Sequence, residues 1–364
     1  MATIGVAIVG TGQVVLQNHL PGLKLCSPHA RLVALCDSKR ETLDRASRET
    51  GIRATFQDYR EAIAHAEVDA VVVATPNFMH PPIVLEAVRA GKHVLCEKPL
   101  ALNAPTAVEM YRAAQAANVR HMTAFTYRFV PAMRWMKHLL DRGAIGRPFH
   151  FRARRFQDWG NRNLGWRQSK KLAGNGEIGD MLSHRIDYAH LLVGKIKRLV
   201  ADFRNFVPTR GGQPSDVDDW VAILCDFDRD DITGVLESTK LATGRGEGLR
   251  GADDVELNGS EGSIVYSTQR PLELRIGKRG GADLETVEVP REFRVLPGSP
   301  RNPDEGDPLV TFRYDQTVEF IHAILDKRPC TPSLLDGANV QMVMDTATRS
   351  FDERRWVDVD YPNP

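Results

Sequence analysis

The sequence predicts an α/β chain in two parts: a parallel sheet built from βαβ units, then an open-faced, mainly antiparallel sheet. Three observations predict it. Short, unbroken apolar runs alternate with helical stretches through the first third. A glycine turn follows the first of those runs and opens a helix. In the second half, strands succeed one another without helices between them.

Taken in order, Ile4–Val9 is apolar throughout, the mark of a strand covered on both faces. Gly10-Thr11-Gly12 follows, and then a helix over 13–26 that Pro21 and Gly22 are expected to kink or end. A second strand, 32–36, ends in Asp37. Residues 39–50 have helical spacing, and Asp58 can cap a short helix over 59–66. A buried strand at 69–74 is stopped by Thr75-Pro76-Asn77. A helix over 82–90 closes at Gly91, a strand follows at 94–96, and Glu97-Lys98-Pro99 stands at its carboxyl end, where open parallel sheets bind ligands. A helix at 105–117 and a strand at 120–124 complete the first part.

The glycine turn sits where a dinucleotide site requires it, after a strand and at a helix start, although Val15 stands where a third small residue is usual. A plain tight turn is the alternative. Asp37 favours a dinucleotide, because a carboxylate there accepts from ribose hydroxyls and repels a 2′-phosphate. NAD is therefore expected over NADP, with Lys39 and Arg40 as residues that could cradle a 2′-phosphate instead.

In the second part, 131–142 reads as a helix with Met133, Met136, Leu139 and Leu140 as its core stripe. Residues 147–156 read as a strand, with Phe149 and Phe151 on one face and a basic row of His150, Arg152 and Arg154 on the other. That row could bind an anion or form a solvated or subunit-facing surface. A long loop at 157–174 carries Trp159 and Trp166-Arg167, either a flat face beside a donor fork for a nicotinamide or sugar, or a loop anchor. The helix over 177–193 places Asp180, His184 and Asp187 at i, i+4 and i+7, hence on one face. A metal site, a buried ion-pair network and an acid–base site all fit that row, and the acid–base reading is preferred. Strands are expected at 196–206, 220–227, 232–241, 254–258, 272–276 and 286–289, with Asp228-Arg229-Asp230-Asp231 as a turn. Helices are expected at 309–326 and 337–350, the last capped by Asp336.

The composition sets limits. The 364 residues, 42% hydrophobic and 26% charged, allow two domains, 1–124 and 125–364, with the helix at 336–350 packing back on the first. A net charge of +1 gives no reason to expect nucleic acid or anionic lipid as a partner. The five cysteines are scattered with no C-x-x-C, which suits buried thiols in a reducing compartment. No signal peptide or membrane span is expected, so the protein is expected in the cytoplasm. An uncovered sheet face implies a homo-oligomer, a dimer or tetramer.

The runs Ala74-Thr75-Pro76-Asn77 with His80, Ala90-Gly91-Lys92-His93-Val94-Leu95-Cys96-Glu97-Lys98-Pro99-Leu100, and Gly174-Asn175-Gly176-Glu177-Ile178-Gly179-Asp180-Met181-Leu182-Ser183-His184 resemble the glucose–fructose oxidoreductase / inositol dehydrogenase / rhizopine catabolism family. The resemblance implies a Rossmann domain followed by an open-faced sheet domain, and an NAD(P)-dependent dehydrogenase acting on a pyranose sugar, anhydrosugar or inositol. It puts the catalytic residues at Lys98, Asp180 and His184, with a cis bond between Lys98 and Pro99. It implies a cofactor site of Gly10, Thr11, Gly12, Gln13, Val14, Asp37, Ser38, Thr75, Pro76, Asn77, His80, Glu97, Lys98, Trp166 and Arg167. Tyr127, Arg128 and Trp166 join the catalytic residues around the substrate, and no metal is expected. In this scheme His184 is the general base, Asp180 orients it, and Lys98 stabilises charge on the reacting oxygen. Two rivals share the resemblance: a glycosidase working by transient NAD-dependent oxidation, and a non-catalytic sensor of NAD or sugar.

Overall fold

A computed structural model describes residues 3–229, 231–248 and 251–362. The first part is a six-stranded parallel sheet: β1 (Ile4–Val9), β2 (Ala30–Cys36), β3 (Thr55–Phe56), β4 (Ala70–Val73), β5 (His93–Cys96) and β6 (His121–Thr123), in the order β3-β2-β1-β4-β5-β6. The reversal between β1 and β4 creates a crevice at the carboxyl ends of both strands. Helices α1 (Leu20–Leu25), α2 (Arg40–Thr50), α3 (Tyr59–Ala64), α4 (His80–Arg89) and α5 (Ala104–Ala116) cover it. Asp58 caps α3 by accepting from the Arg60 N–H, as its position predicts.

The second part begins with α6 (Pro131–Asp141) and β7 (Pro148–Phe156). The long loop holds a 3₁₀ turn, Gly165–Gln168, and a short helix, α7 (Lys170–Ala173), before α8 (Ser183–Leu192). The strands follow: β8 (Ile196–Arg204), the two-residue pair β9 (Thr209–Arg210) and β10 (Gln213–Pro214), β11 (Trp220–Phe227), β12 (Thr233–Thr239), β13 (Ala252–Gly259), β14 (Gly262–Ser267), β15 (Glu273–Lys278) and β16 (Glu285–Glu288). Helices α9 (Pro308–Thr311), α10 (Tyr314–Leu325) and α11 (Leu334–Glu353) and the short β17 (Val357–Asp358) end the chain. Nine of these strands form one sheet, in the order β16-β15-β14-β13-β7-β12-β11-β8-β17. Helix α11 lies between the two parts, packed on α5 and β6 on one side and on β8 and α8 on the other. One apolar core joins both sheets, with Ile8 and Leu95 from the first, Phe151 and Leu236 from the second, and Ile186 from α8.

Several expectations change. Pro21 and Gly22 do not end the first helix. A π turn, Val15–His19, closes with Leu20 N–H on the Val15 carbonyl, and α1 then carries Pro21 in its first turn, where the missing N–H costs little. A Cβ on Gly22 would meet Tyr314 O at 2.7 Å, so this glycine lets α10 pack closely. The second sheet is mixed, because β7 enters it beside β12 in parallel. The basic row on β7 is matched by its neighbour: Arg154 pairs with Asp254 at 2.8 Å, and Arg152 stands opposite Glu256 in the β13 register. Phe149 is exposed at the strand start, while Arg155 is buried on the Phe151 face. The helix expected at 309–326 breaks at Phe312-Arg313 into α9 and α10. Ser333, not Asp336, caps α11; Asp336 accepts from the Ser333 N–H in return, as the second half of a capping box. Asp230 of the expected turn lies outside the described residues. All five cysteines are free and buried, and no helix among the described residues is long and apolar enough to cross a membrane.

Candidate active site

A cavity of about 1110 Å³ runs along the carboxyl edge of the parallel sheet and under the long loop of the second part. Its dinucleotide end is built from the glycine turn. Gly10 has φ 92°, and a Cβ there would meet Ala74 O at 2.5 Å; a Cβ on Gly12 would enter open space. Gly10 thus closes the strand against its neighbour, and Gly12 keeps the approach to the turn clear. Gly12, Gln13 and Val14 line the cavity. Val15, at the position of the usual third small residue, is buried in the core, and the wider π turn makes room for it.

Asp37 and Ser38 line the same end. Asp37 Oδ2 accepts from Thr11 N at 2.8 Å and Thr11 Oγ1 at 3.0 Å, and Oδ1 accepts from Lys39 N at 2.9 Å. These bonds fix the carboxylate and leave lone pairs for ribose hydroxyls. Thr11 is fully buried and braces Asp37 from behind, away from the cavity wall. Lys39 reaches the cavity, whereas Arg40 turns outward to Asp44 at 2.9 Å.

Thr75, Pro76 and Asn77 line the middle, and Asn77 Nδ2 donates to Ala173 O across to the second part. His80 does not reach the cavity. It is buried between the carbonyls of Pro99 and Thr75, 2.9 Å from each, and burial lowers its pKa against their pull. Glu97 lines the cavity and pairs with His19 at 2.9 Å. Burial would raise the Glu97 pKa, but the His19 bond and the Lys98 charge hold it below the usual carboxylate value.

The far end holds Lys98, Asp180, Trp159, Trp166, Arg167 and Lys240. The Lys98–Pro99 bond is cis. Lys98 Nζ donates to the backbone carbonyl of Asp180 and, at 3.1 Å, to its Oδ1. The sequence arithmetic of one regular helix fails here, because a π turn, Ile178–Leu182, precedes α8. Three successive carbonyls around it accept from side chains: Gly179 from Ser183 Oγ, Asp180 from Lys98, and Met181 from Arg185. The extra residue rotates Asp180 relative to α8. Among the described residues no hydrogen bond joins Asp180 to His184, so Asp180 holds Lys98 instead of orienting the histidine. Asp187 stays one turn from His184 on α8 but is occupied. It takes a bidentate pair from Arg128, Nε to Oδ2 at 2.8 Å and Nη2 to Oδ1 at 2.6 Å, and Arg128 reaches Asp336 at 2.9 Å. Arg128 is therefore a tie between α8 and α11 and does not line the cavity.

His184 lies just behind the wall, 3% exposed, with its ring centroid 4.6 Å from that of Tyr127. Its Nδ1 has no hydrogen-bond partner among the described residues. Burial, then the positive charges of Lys98, Arg185, Arg313 and Arg155, hold its pKa well below the ordinary value, so the ring is neutral near pH 7. Burial likewise opposes the Asp180 charge, but Lys98, Arg167 and Lys240 hold its pKa down. Tyr127 is buried beside His184 and likewise stands behind the wall.

Sequence reasoning missed His19, Lys240 and Glu177. His19 carried no signal. Lys240 carried one: Gly234, Leu236 and Ser238 alternate inward along β12, and Lys240 continues that phase. Glu177 is fully buried, accepts from Ser238 Oγ at 2.5 Å, and has its pKa pushed up to about 7 by burial. Its folded pKa lies above its unfolded value, so its stabilising share is present at low pH and lost as pH rises through about 7. Glu177→Gln should therefore gain on the wild type between pH 5 and pH 8.5, by up to about 3 kcal/mol. Urea unfolding of both proteins at the two pH values checks it; a constant difference would contradict the raised value. Among the described residues no group of three or more His, Cys, Asp and Glu could hold a metal ion.

A glycine turn at a strand–helix junction, a carboxylate after the next strand and a buried lysine set against the second part's helix are the elements of a nicotinamide-dependent oxidoreductase. The chain belongs to the Gfo/Idh/MocA oxidoreductase family: residues 4–125 match its NAD-binding Rossmann fold and residues 133–265 its C-terminal domain. It is 33% identical over 355 residues to levoglucosan dehydrogenase of Pseudarthrobacter phenanthrenivorans, covering 89% of this chain and 88% of that one. It is 28% identical over 267 residues to myo-inositol 2-dehydrogenase of Thermotoga maritima, covering 73% and 75%. A solved structure of levoglucosan dehydrogenase in complex with NADH and levoglucosan superposes with a TM-score of 0.89 at 31% identity, covering 98% of this chain and 100% of that one.

Proposed function

We propose that the chain is an NAD-dependent dehydrogenase that oxidises a secondary hydroxyl of a pyranose sugar, anhydrosugar or inositol. The observation that carries this reading is Lys98, held on Asp180 at the point where the cofactor crevice meets the second sheet. The relatives that are sugar and inositol dehydrogenases support it. When bound, NAD supplies the hydride acceptor. Gly12, Gln13 and Val14 would hold its pyrophosphate at the helix start, and Asp37 its ribose. Lys98 donates to the reacting oxygen and stabilises the negative charge that develops as the proton leaves. Asp180 fixes Lys98 and accepts from a neighbouring hydroxyl. His184 takes the hydroxyl proton on a neutral ring nitrogen. Trp166 and Arg167, whose guanidinium lies 4.4 Å from the Trp166 ring centre, cover the nicotinamide end.

The same reading divides the chain at 124/125 and makes it a cytoplasmic homo-oligomer, dimer or tetramer, joined through the outer face of the nine-stranded sheet, where Leu224 is 51% exposed. Light scattering reads that state directly. The function is tested by a panel of pyranoses, anhydrosugars and inositols with NAD and with NADP, followed by nicotinamide absorbance. Turnover is expected with NAD, and weaker turnover with NADP because Asp37 repels a 2′-phosphate. No reduction of either nucleotide by any member would sink the proposal.

A further inference from the structure

Lys240 has a place in the cavity but no partner in it. The residue is 2% exposed, yet it lines the cavity wall. Its Nζ lies 5.7 Å from the centre of the Trp159 ring. The nearest carboxylate oxygen, Asp219 Oδ1, is 3.9 Å away, beyond hydrogen-bond reach. Asp219 is in any case occupied: it accepts from Arg210, and from the N–H groups of Phe206 and Val207 at 2.9 Å each. Among the described residues nothing accepts a hydrogen bond from Lys240 Nζ.

The other acids of this corner feel that charge, but their hydrogen bonds go elsewhere. Asp180 is paired with Lys98, and Glu97 with His19. Glu177 is held by Ser238, and burial makes its charged form costly. Arg167 adds a second cation at the same end. The 3.9 Å contact to Asp219 gives this ammonium a nearby charge but no acceptor for its N–H groups, so a ligand anion in the cavity can take those donors directly. The oxidised nicotinamide ring is itself cationic, which adds to the demand for negative charge in the ternary complex.

We propose that Lys240 is a specificity-determining residue that takes the carboxylate of a sugar acid, so that the cleft selects uronate- or aldonate-type substrates over their neutral parents. This rests on the dehydrogenase reading above. Arg167 lies 4.4 Å from the Trp166 ring centre and bears on the Asp180 charge, which leaves one ammonium to meet a single carboxylate. Lys98 and Asp180 remain for the hydroxyl that reacts, and the Trp159 face remains for the apolar side of the ring.

The test uses the full chain with NADH bound, titrated calorimetrically with glucuronate, gluconate, glucose 6-phosphate and glucose, alongside NAD-dependent kcat/KM for the same four compounds. At least one sugar acid should bind about tenfold or more tightly than glucose. Lys240→Met should erase that preference while NADH affinity holds, and Lys240→Arg should keep part of it. The inference is overturned if glucose binds as well as both acids, if the phosphate is preferred, or if Lys240→Met weakens glucose as much as the acids. Should Lys240→Met fail to bind NADH, the wild-type preference and Lys240→Arg decide. Neutral sugars oxidised without any acid preference would remove the inference and leave the dehydrogenase reading standing. A Lys240-dependent acid preference in binding, with no NADH from any compound, would do the reverse.

Discussion

Lys98→Met is expected to lower kcat by about 10³-fold, while the affinity for NADH changes by less than about tenfold. Among the described residues the ammonium is the one cationic donor bonded to Asp180, and it reaches both the carbonyl and the carboxylate of that residue. Methionine keeps the length and bulk of the chain and removes only the charge and the donors. Two secondary effects separate an electrostatic role from a packing role. Lys98 holds the His184 pKa down after burial, so its loss should move the acid limb of the residual pH profile upward. Lys98 also leads the charges that oppose burial at Asp180, so that carboxyl should protonate at higher pH in the variant. Steady-state kinetics across pH 5 to 9, with NADH binding followed by fluorescence, check all three. Unchanged kcat, or a loss with no movement of the acid limb, would remove Lys98 from the charge-stabilising role.

His184→Asn should lower kcat by roughly 10²- to 10⁴-fold, the usual range for a lost general base. Asparagine preserves a polar group of similar size beside Tyr127 and Phe125 but cannot take a proton. In the wild type the acid limb of kcat/KM should fall below the ordinary histidine value, because burial and four nearby cations favour the neutral ring. The sign follows directly: a depressed pKa keeps the base unprotonated to lower pH, so activity persists further into acid. In His184→Asn that limb should vanish along with most of the turnover. A variant that keeps full turnover with intact cofactor binding would remove His184 from the reaction.

Much of the cofactor half was legible because its signals are local. A strand, Gly10-x-Gly12, a helix start and a carboxylate after the next strand are each set by neighbours within a few residues. The same holds for Asp58, and for Lys98 at the end of β5. The substrate half was harder, since its geometry depends on events that residue spacing does not encode. The π turn at Ile178–Leu182 breaks the regular spacing that i, i+4, i+7 counting assumes for Asp180, and Asp187 is claimed by Arg128, which also reaches Asp336 from a distant part of the chain. The parallel insertion of β7 beside β12 is equally non-local, and it puts the buried phase of β12, with Lys240 at its end, over the cleft. The resemblance places His80 and Thr11 in the cofactor site, and in the structure both brace the loops that touch the cavity.

The central claim is net hydride transfer from a sugar or polyol hydroxyl to NAD, with Lys98 and His184 handling charge and proton. It is tested most directly by the stoichiometry of the reaction, with NADH read by absorbance and the sugar by NMR in the same tube. One NADH and one keto product per substrate consumed is the predicted result. Product formed without NADH, as in hydrolysis through transient oxidation, would contradict it.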